Sequence, residues 1–594
     1  MSRVRPENLR KAIAALAALF AHTSCASVES AGETRPGLVG ATPPALDIIL
    51  RPNVADPGVA MIDIEMRIAG MSVEAGAPFL AIPRVFAGVP AVPYTADDIV
   101  ARDADGPIQL IQRDDPPDVG GFLYFRHWTA TRPVRGDIRI RYRTATAASV
   151  PRIGSGPPFG LRADAGGVSG ATNSFVIIPE SSDRYRIRWR WDLSQMPAGS
   201  IGVSSLGEGD VETMAPSQIF YALFVMAGPL QTYSEGAQDG FGAYWLGDPP
   251  FAARPLMSWT RRAFGAMKDF FRTPEIPPFR IFGRRNPYPG VGGAALTNSF
   301  MVGYGPERDS AERMRGLFAH EMVHHWVKSL DGPFGTSSWF GEGMAEHYAR
   351  RILLTSGLFS PEAFVGDVNR TALRYYTNAR NRVPNDSIAA SFWEDSRIRN
   401  LPYDRGSLYL ADLDAKLRAR SNGTRSVDDL LFAMMDRRGR GLPVDVAAWR
   451  ELISGALGES GVADFEAMLS GRIIVPASGA FGPCFARRTA DWRRYELGFD
   501  ERSLYVEPRA IRGLVEGSPA AQAGVRDGDV VVDAVDLYPS REDPNVRLRL
   551  RLRRDGRIVE VDFLPRGERV EAYQWVRIPG IPDSGCAAGG APPR

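Results

Sequence analysis

Hydrophobic and polar positions change their period twice along the chain. From about Ala45 to Ser234, short runs such as DIEMRIAG, FLYFRHW, DIRIRYRT and RYRIRWRW alternate apolar with polar residues, and Gly, Pro and Asp clusters separate them. A period of two is that of a half-buried strand, so this stretch is predicted to be all-β. From Phe251 the spacing lengthens: PFAARPLMSWTRRAFGAMKDFF repeats its apolar residues at three and four, the period of an amphipathic helix. Two strand-like pieces follow, FRIFG and AALTNSFMVG. Helical segments then run to about Leu469, with no internal repeat. Strand signals resume from Tyr495, among them RLRLRLRRDGR, whose alternating arginines read as the solvated face of a sheet. The order is therefore β, mainly α, then a small β-rich module.

A chain of 594 residues exceeds what one hydrophobic core organises, so these three regions are read as domains. Lys+Arg 71 against Asp+Glu 69, with no basic run interleaved with aromatics, leaves no electrostatic case for nucleic acid. Basic residues Arg3, Arg5, Arg10 and Lys11 precede the apolar run AIAALAALFA, which is too short to span a bilayer and has the form of an export signal. Cleavage after Ala26 and lipidation of Cys25 are both open; His22 stands where a lipidation signal usually has Leu. A membrane partner is expected only if Cys25 is lipidated, and the destination is periplasmic or extracellular. The remaining cysteines, Cys484 and Cys586, bracket a C-terminal segment and form either a disulfide in an oxidising compartment or two free thiols.

The chemistry is concentrated in HEMVHHW, residues 320–326. Asp309, with Glu312 three residues later, would cap a helix that runs through this motif. At about 100° per residue, His320 and His324 then lie about 40° apart on one face, where both imidazoles can share a tetrahedral ion, and Glu321 projects beside them. A third ligand is offered by Glu342 in WFGEGMAEHYARRIL, on a second helix reached through a Gly- and Pro-containing connection. Glu346, one turn further, can take the spare N–H of a ligand histidine or face solvent. Four of the six histidines fall in this stretch, and of these His325 and His347 read as packing residues. Three protein ligands and an open position are the catalytic zinc arrangement, expected here as one Zn2+ per chain. Zinc lowers the pKa of bound water to about 7, and Glu321 would take its proton and pass it to the leaving amine.

These residues resemble the gluzincin metallopeptidases, and among them the glycyl aminopeptidase family. HEMVHHW, WFGEGMAEHY and YDRGSLYLADLDAKLR carry the resemblance, and the last is similar to a Tyr-x-Lys-Gly segment with Arg405 at the Lys position. It implies that Tyr403 stabilises the transition state. YELGFDERS followed by GLVEGSPAAQAGVRDGDVVVDAVD resembles a PDZ domain, with Leu497, Gly498 and Phe499 as the loop that receives a peptide's terminal carboxylate. The implied fold class is multidomain α+β: an N-terminal β domain over 45–250, a thermolysin-like, mainly α zinc domain over 251–483 and a PDZ domain over 484–586, after a signal peptide (1–26) and linker (27–44) and before a short tail (587–594).

One segment departs from the family. Its Gly-Gly-x-Glu-His strand offers a carboxylate to the substrate's α-amine, whereas Gly292, Gly293 and Ala294 here lead to Ala295 and Leu296. The expected function is therefore an exported zinc metallopeptidase acting on peptides or unfolded chains, with amino-terminal trimming and internal cleavage both open. The alternative is a peptide-binding envelope protein that works through its PDZ groove, with the zinc domain as a scaffold. On the first reading the C-terminal module is a separable accessory.

Overall fold

The computed structural model describes residues 43–587, except for 57–58, 88, 118–122, 147–158, 208–210, 234–239, 274–277, 307–310 and 334. The export-like segment with Cys25 and Ala26, and the expected helix cap Asp309, lie outside the described residues. No described helix is long and apolar enough to cross a membrane.

The first part of the chain, through Phe224–Gly228, is β-rich as the alternation predicts, with a seven-stranded, a five-stranded and a four-stranded sheet around one core. In the strand Val134–Ala145, Ile138, Ile140 and Tyr142 point inward, and Arg139, Arg141 and Arg143 point to solvent. Those outward arginines are partly used. Arg139 and Arg141, with Arg51 and Arg67, surround Glu65, which is almost fully buried among them at 2.8–3.5 Å.

The boundary of this domain differs from the sequence reading, which ran it to residue 250. The strands β1 (Gln231–Tyr233) and β2 (Phe241–Trp245) belong to a second sheet with β3 (Phe279–Arg285), β4 (Val291–Leu296) and β5 (Ser299–Tyr304), in the order β1-β2-β3-β5-β4. Tyr233, Phe241, Ala243 and Trp245 are buried in the core of the following domain, where the Phe241 ring lies 5.9 Å from Phe264. Period-two alternation identifies a strand without saying which sheet receives it, and that is why the border was misplaced. Among the described residues β4 pairs only with β5, which leaves its other edge without a strand partner there.

Helices build the rest of this second core. Helix α1 (Ala253–Phe270) buries Leu256, Trp259, Ala263, Phe264 and Met267 at three- and four-residue spacing. It is followed by α2 (Ala311–Val323), α3 (Ser338–Thr355), α4 (Pro361–Thr377) and α5 (Leu401–Arg420).

The C-terminal segment divides between two cores. Its outer strands, β6 (Phe485–Tyr495) and β8 (Arg566–Arg577), pair antiparallel. They lie on α4, where the Asn369 side chain both donates to the Trp575 carbonyl and accepts from its N–H, each at 2.8 Å. Between them, residues 495–563 enclose a small core of their own around Leu497, Phe499, Ile511, Leu550 and Val561. Strand β7 (Leu548–Arg554) alternates as its sequence predicts, with Leu548, Leu550 and Leu552 buried and Arg549 and Arg551 exposed. Cys484 and Cys586 form a disulfide across 102 residues, with Cα atoms 5.1 Å apart.

A closed loop of that length restricts the unfolded chain enough to contribute about 4–5 kcal/mol in the chain-entropy model, and about 2–4 kcal/mol is typical of measured bridges. A reductant is therefore expected to lower the thermal midpoint of the wild-type protein by several degrees. It should leave the double variant Cys484→Ser, Cys586→Ser, already lowered, unchanged. A wild-type midpoint insensitive to reductant would contradict the bridge.

Candidate metal centre

His320 and His324 occupy the last turn of α2 and the residue just beyond it, and Glu342 the second turn of α3. His320 Nε2 and His324 Nε2 are 3.2 Å apart, and each lies 3.3 Å from Glu342 Oε2. These three atoms form the group in the described chain able to hold a metal ion. Ligands at about 2.0–2.1 Å from a tetrahedral ion are separated from one another by about 3.3–3.4 Å, so the observed triangle fits such an ion without rearrangement. Glu342 Oε2 is buried and accepts no hydrogen bond from the described residues, which leaves its charge for a cation. Two imidazoles and one carboxylate with a fourth position free are a zinc-type donor set.

Glu346 stands behind His320. Its Oε1 lies 3.3 Å from His320 Nδ1, an ion-pair contact without hydrogen-bond geometry, and its negative charge favours a proton on that nitrogen, the one turned away from the triangle. Glu346 is held in turn by Arg350 at 2.6 Å, and Arg350 by Thr371 at 2.9 Å and Asp367 at 2.9 Å. Burial alone would favour neutral groups here. It is outweighed by the mutual attraction of histidines and carboxylates, which raises His320 well above the ordinary imidazole range and holds Glu342 at about 2.

Glu321 is buried on the strand side of α2, and burial raises its carboxyl pKa, an effect that the neighbouring His320 and His324 partly offset. A Cβ at Gly293 would lie 2.5 Å from Glu321 Oε1 and 2.7 Å from its Cγ. Any side chain there would displace the carboxylate, which accounts for the glycine. The carboxylate thus rests against the open edge of β4, whose Gly292, Gly293, Ala294 and Ala295 line a cavity of about 460 Å³ together with the metal triangle.

Tyr403 reaches the same cavity from the first turn of α5, its ring stacked at 5.6 Å on that of His320. Burial, reinforced by the charge of Glu342, raises its phenol pKa well above the usual value, so it is a hydrogen-bond donor at neutral pH. Two glycines set this approach. A Cβ on Gly343 would lie 2.6 Å from Gly406 backbone atoms, and one on Gly406 would lie 2.4 Å from the Trp339 carbonyl oxygen. The glycine following Glu342 and the one three residues beyond Tyr403 therefore let α3 and α5 touch backbone to backbone. Arg405, at the family's Lys position, is fully buried and faces away, donating to Asn385 and to the Asn381 and Val383 carbonyls. It secures the loop before α5.

His325 and His347 pack as expected. His325 lies among Phe264, Phe279 and Trp326, and burial lowers the two imidazoles to about 3 and about 4. Leu497 and Phe499 are buried in the small C-terminal core, and Gly498 has φ +84° with Ser518 Oγ 2.6 Å from where a Cβ would be. None of the three lines the metal cavity.

Sequence reasoning missed what the C-terminal module brings to the cavity. Asp536 and, on α6 (Tyr538–Glu542), Tyr538 and Glu542 line it. Glu542 meets Arg374 at 2.8 Å, and Arg374 meets Asp404, next to Tyr403, at 2.7 Å. The Tyr538 hydroxyl donates to Asn400 at 3.3 Å, just before α5. The module is a wall of the site, not a separable accessory. Only DVVVDAVDLYPSRE could have signalled this, through its acidic residues, and their spacing alone says nothing about so distant a partner.

No protein-family model matches the sequence, and no curated protein matches it. Solved structures do. An M1 zinc metallopeptidase from Deinococcus radiodurans is 18% identical over 73% of this chain and 95% of that one, with a TM-score of 0.45. Native yeast LTA4 hydrolase is 13% identical over 72% and 67%, also at 0.45. An aminopeptidase N family protein from Idiomarina loihiensis is 12% identical and aligns over 90% of this chain and 98% of that one with a TM-score of 0.63, which shows a shared fold along nearly the whole length.

Proposed function

We propose that this chain is an exported zinc metallopeptidase that hydrolyses peptide bonds in peptides or unfolded chains. The observation that carries the reading is the His320, His324 and Glu342 triangle facing an open strand edge, with Glu321 and Tyr403 on either side of it. Bound zinc would polarise the scissile carbonyl and supply an acidified water. An extended substrate adds to β4 through backbone hydrogen bonds, which places its scissile bond above Gly293. Glu321, with its carboxyl pKa raised by burial, accepts the nucleophile's proton and returns it to the leaving amine. Tyr403 donates to the oxygen that becomes negative as the carbonyl turns tetrahedral. The charge of Glu346 favours a proton on His320 Nδ1.

The finer parts of the reading rest on separate supports. The glycyl aminopeptidase likeness rests on the motifs around residues 320, 342 and 403. A PDZ-like peptide-binding role for the C-terminal module, taking a peptide's C-terminus at Leu497, Gly498 and Phe499, rests on the glycine turns at Gly498, Gly524 and Gly528, all with positive φ. Export is supported by the disulfide, because such bridges persist in oxidising compartments. Ala295 provides no carboxylate on β4 for a substrate amine, so internal cleavage and amino-terminal trimming are both retained.

Metal analysis is expected to find about one zinc per chain, absent from His320→Ala and His324→Ala and strongly depleted in Glu342→Ala. Normal zinc in all three would remove the site. Glu321→Gln should keep its zinc and hydrolyse peptides at least roughly 10²-fold more slowly, since only the proton carrier is gone; wild-type rates would exclude it as the base. Tyr403→Phe should keep zinc and fold, with kcat down about 10²–10³-fold and KM little changed, as befits a contact made mainly in the transition state. A loss confined to KM would instead make Tyr403 a substrate-binding group.

A further inference from the structure

The wall contributed by the C-terminal module carries a charge that the proposed reaction leaves unused. Around the cavity, Glu346 faces Arg350 at 2.6 Å, Asp367 faces Arg370 at 2.8 Å and Glu542 faces Arg374 at 2.8 Å. Asp536 lines the same cavity and makes no ion pair among the described residues. Its Oδ1 accepts the Tyr538 backbone N–H at 3.0 Å, and its Oδ2 faces the bend that leads into β4: a Cβ on Gly290 would lie 3.0 Å from that oxygen. The loop is firmly placed, because Tyr538 is bonded to Asn400, Glu542 to Arg374, and Arg541 to Glu501 at 2.9 Å.

Position along the strand gives this carboxylate a meaning. Glu321 lies against Gly293, and Asp536 against Gly290, three residues away. Gly290 is the residue just before β4 and has φ +94°, so the two lie at most about 10 Å apart, and a peptide added to the β4 edge passes Glu321 before it reaches Asp536. A half-buried carboxylate with one oxygen unpaired and no ion partner can make a charge-assisted contact with an incoming cation.

We propose that Asp536 is a specificity-determining residue, pairing with a cationic group of the substrate, a Lys or Arg side chain or the free α-amine, two or three residues from the bond over Gly293. The inference rests on the peptidase reading for its substrate class, and the C-terminal module thereby selects what the zinc domain cuts.

The test uses the full-length, zinc-loaded protein and a set of N-acetylated peptides in which one lysine replaces norleucine at successive positions, plus the free-amine form of the all-norleucine peptide. Binding is read by fluorescence anisotropy on the Glu321→Gln background, and cleavage by mass spectrometry on the active enzyme. Lysine at one position two or three residues from the cut should tighten binding and raise kcat/KM about tenfold over norleucine, the order of one charge-assisted contact in a half-exposed place. Asp536→Asn, which can still accept from Tyr538, should bring the lysine-to-norleucine ratio at that position down to about one. Asp536→Lys should shift the preference to glutamate, which a merely structural role would not do. If the free amine is favoured tenfold and lysine is not, the cation is the N-terminus and the enzyme trims short N-terminal fragments. Lysine and free-amine ratios in Asp536→Asn within about twofold of wild type at every position would overturn the inference. Cationic preference in binding with no cleavage of any peptide would instead overturn the peptidase reading and leave Asp536 as a recognition residue.

Discussion

Three lone-pair atoms held 3.2–3.3 Å from one another in a buried place repel unless positive charge lies among them, and this is the constraint on which the rest of the site depends. His320 Nε2 and His324 Nε2 cannot bond to each other unless one is protonated, and Glu342 Oε2 has no donor among the described residues. Such a cluster persists only if the surroundings hold each member in place and a cation repays the cost. The surroundings do so in layers. Glu346 orients His320, Arg350 holds Glu346, and Thr371 and Asp367 on α4 hold Arg350. An error at the outer end of this chain of contacts would be felt as a misdirected imidazole, although no outer residue approaches the metal triangle itself.

Close backbone packing serves the same end. Gly343 and Gly406 bring α3 and α5 into contact, so the helix bearing Glu342 and the helix bearing Tyr403 form one rigid unit, and Gly293 gives Glu321 room against the strand. The β4 edge, Glu321, the metal ligands and Tyr403 therefore come from four elements whose separations are set by missing side chains. Catalysis by preorganised groups depends on such fixed separations, because a donor displaced by even an ångström loses most of its effect.

What could be read from the sequence follows from how local each feature is. His320, Glu321 and His324 share one helical turn, so their arrangement is dictated by helix geometry alone, and Glu342 and Glu346 repeat the argument one connection later. The alternation of apolar residues in 134–145 and 548–554 fixed which side of each strand is buried. Period says nothing about the partner, however. Strands 231–233 and 241–245 read as more of the β domain until their pairing with Phe279–Arg285 is seen. Arg405 matched a motif position by spacing but is spent on loop carbonyls. Asp536, Tyr538 and Glu542 lie more than a hundred residues from the helices they meet, beyond the reach of any periodicity.

The same long-range contacts change how the domains relate. Glu542 reaches Arg374, which also holds Asp404 at the start of the helix that carries Tyr403, so the C-terminal module shares one charge network with the Tyr403 side of the cavity. Arg374, largely but not wholly buried, keeps its charge there because carboxylates flank it, Asp404 and Glu542 foremost. Removing Glu542 would leave Asp404, already raised to about 6 by burial, as the sole strong partner of that guanidinium. Loss of a partner from a buried charge network is far more damaging than loss of a surface pair, because the remaining charge stays desolvated. The fold thus ties the C-terminal module to the position of Tyr403 through a single arginine.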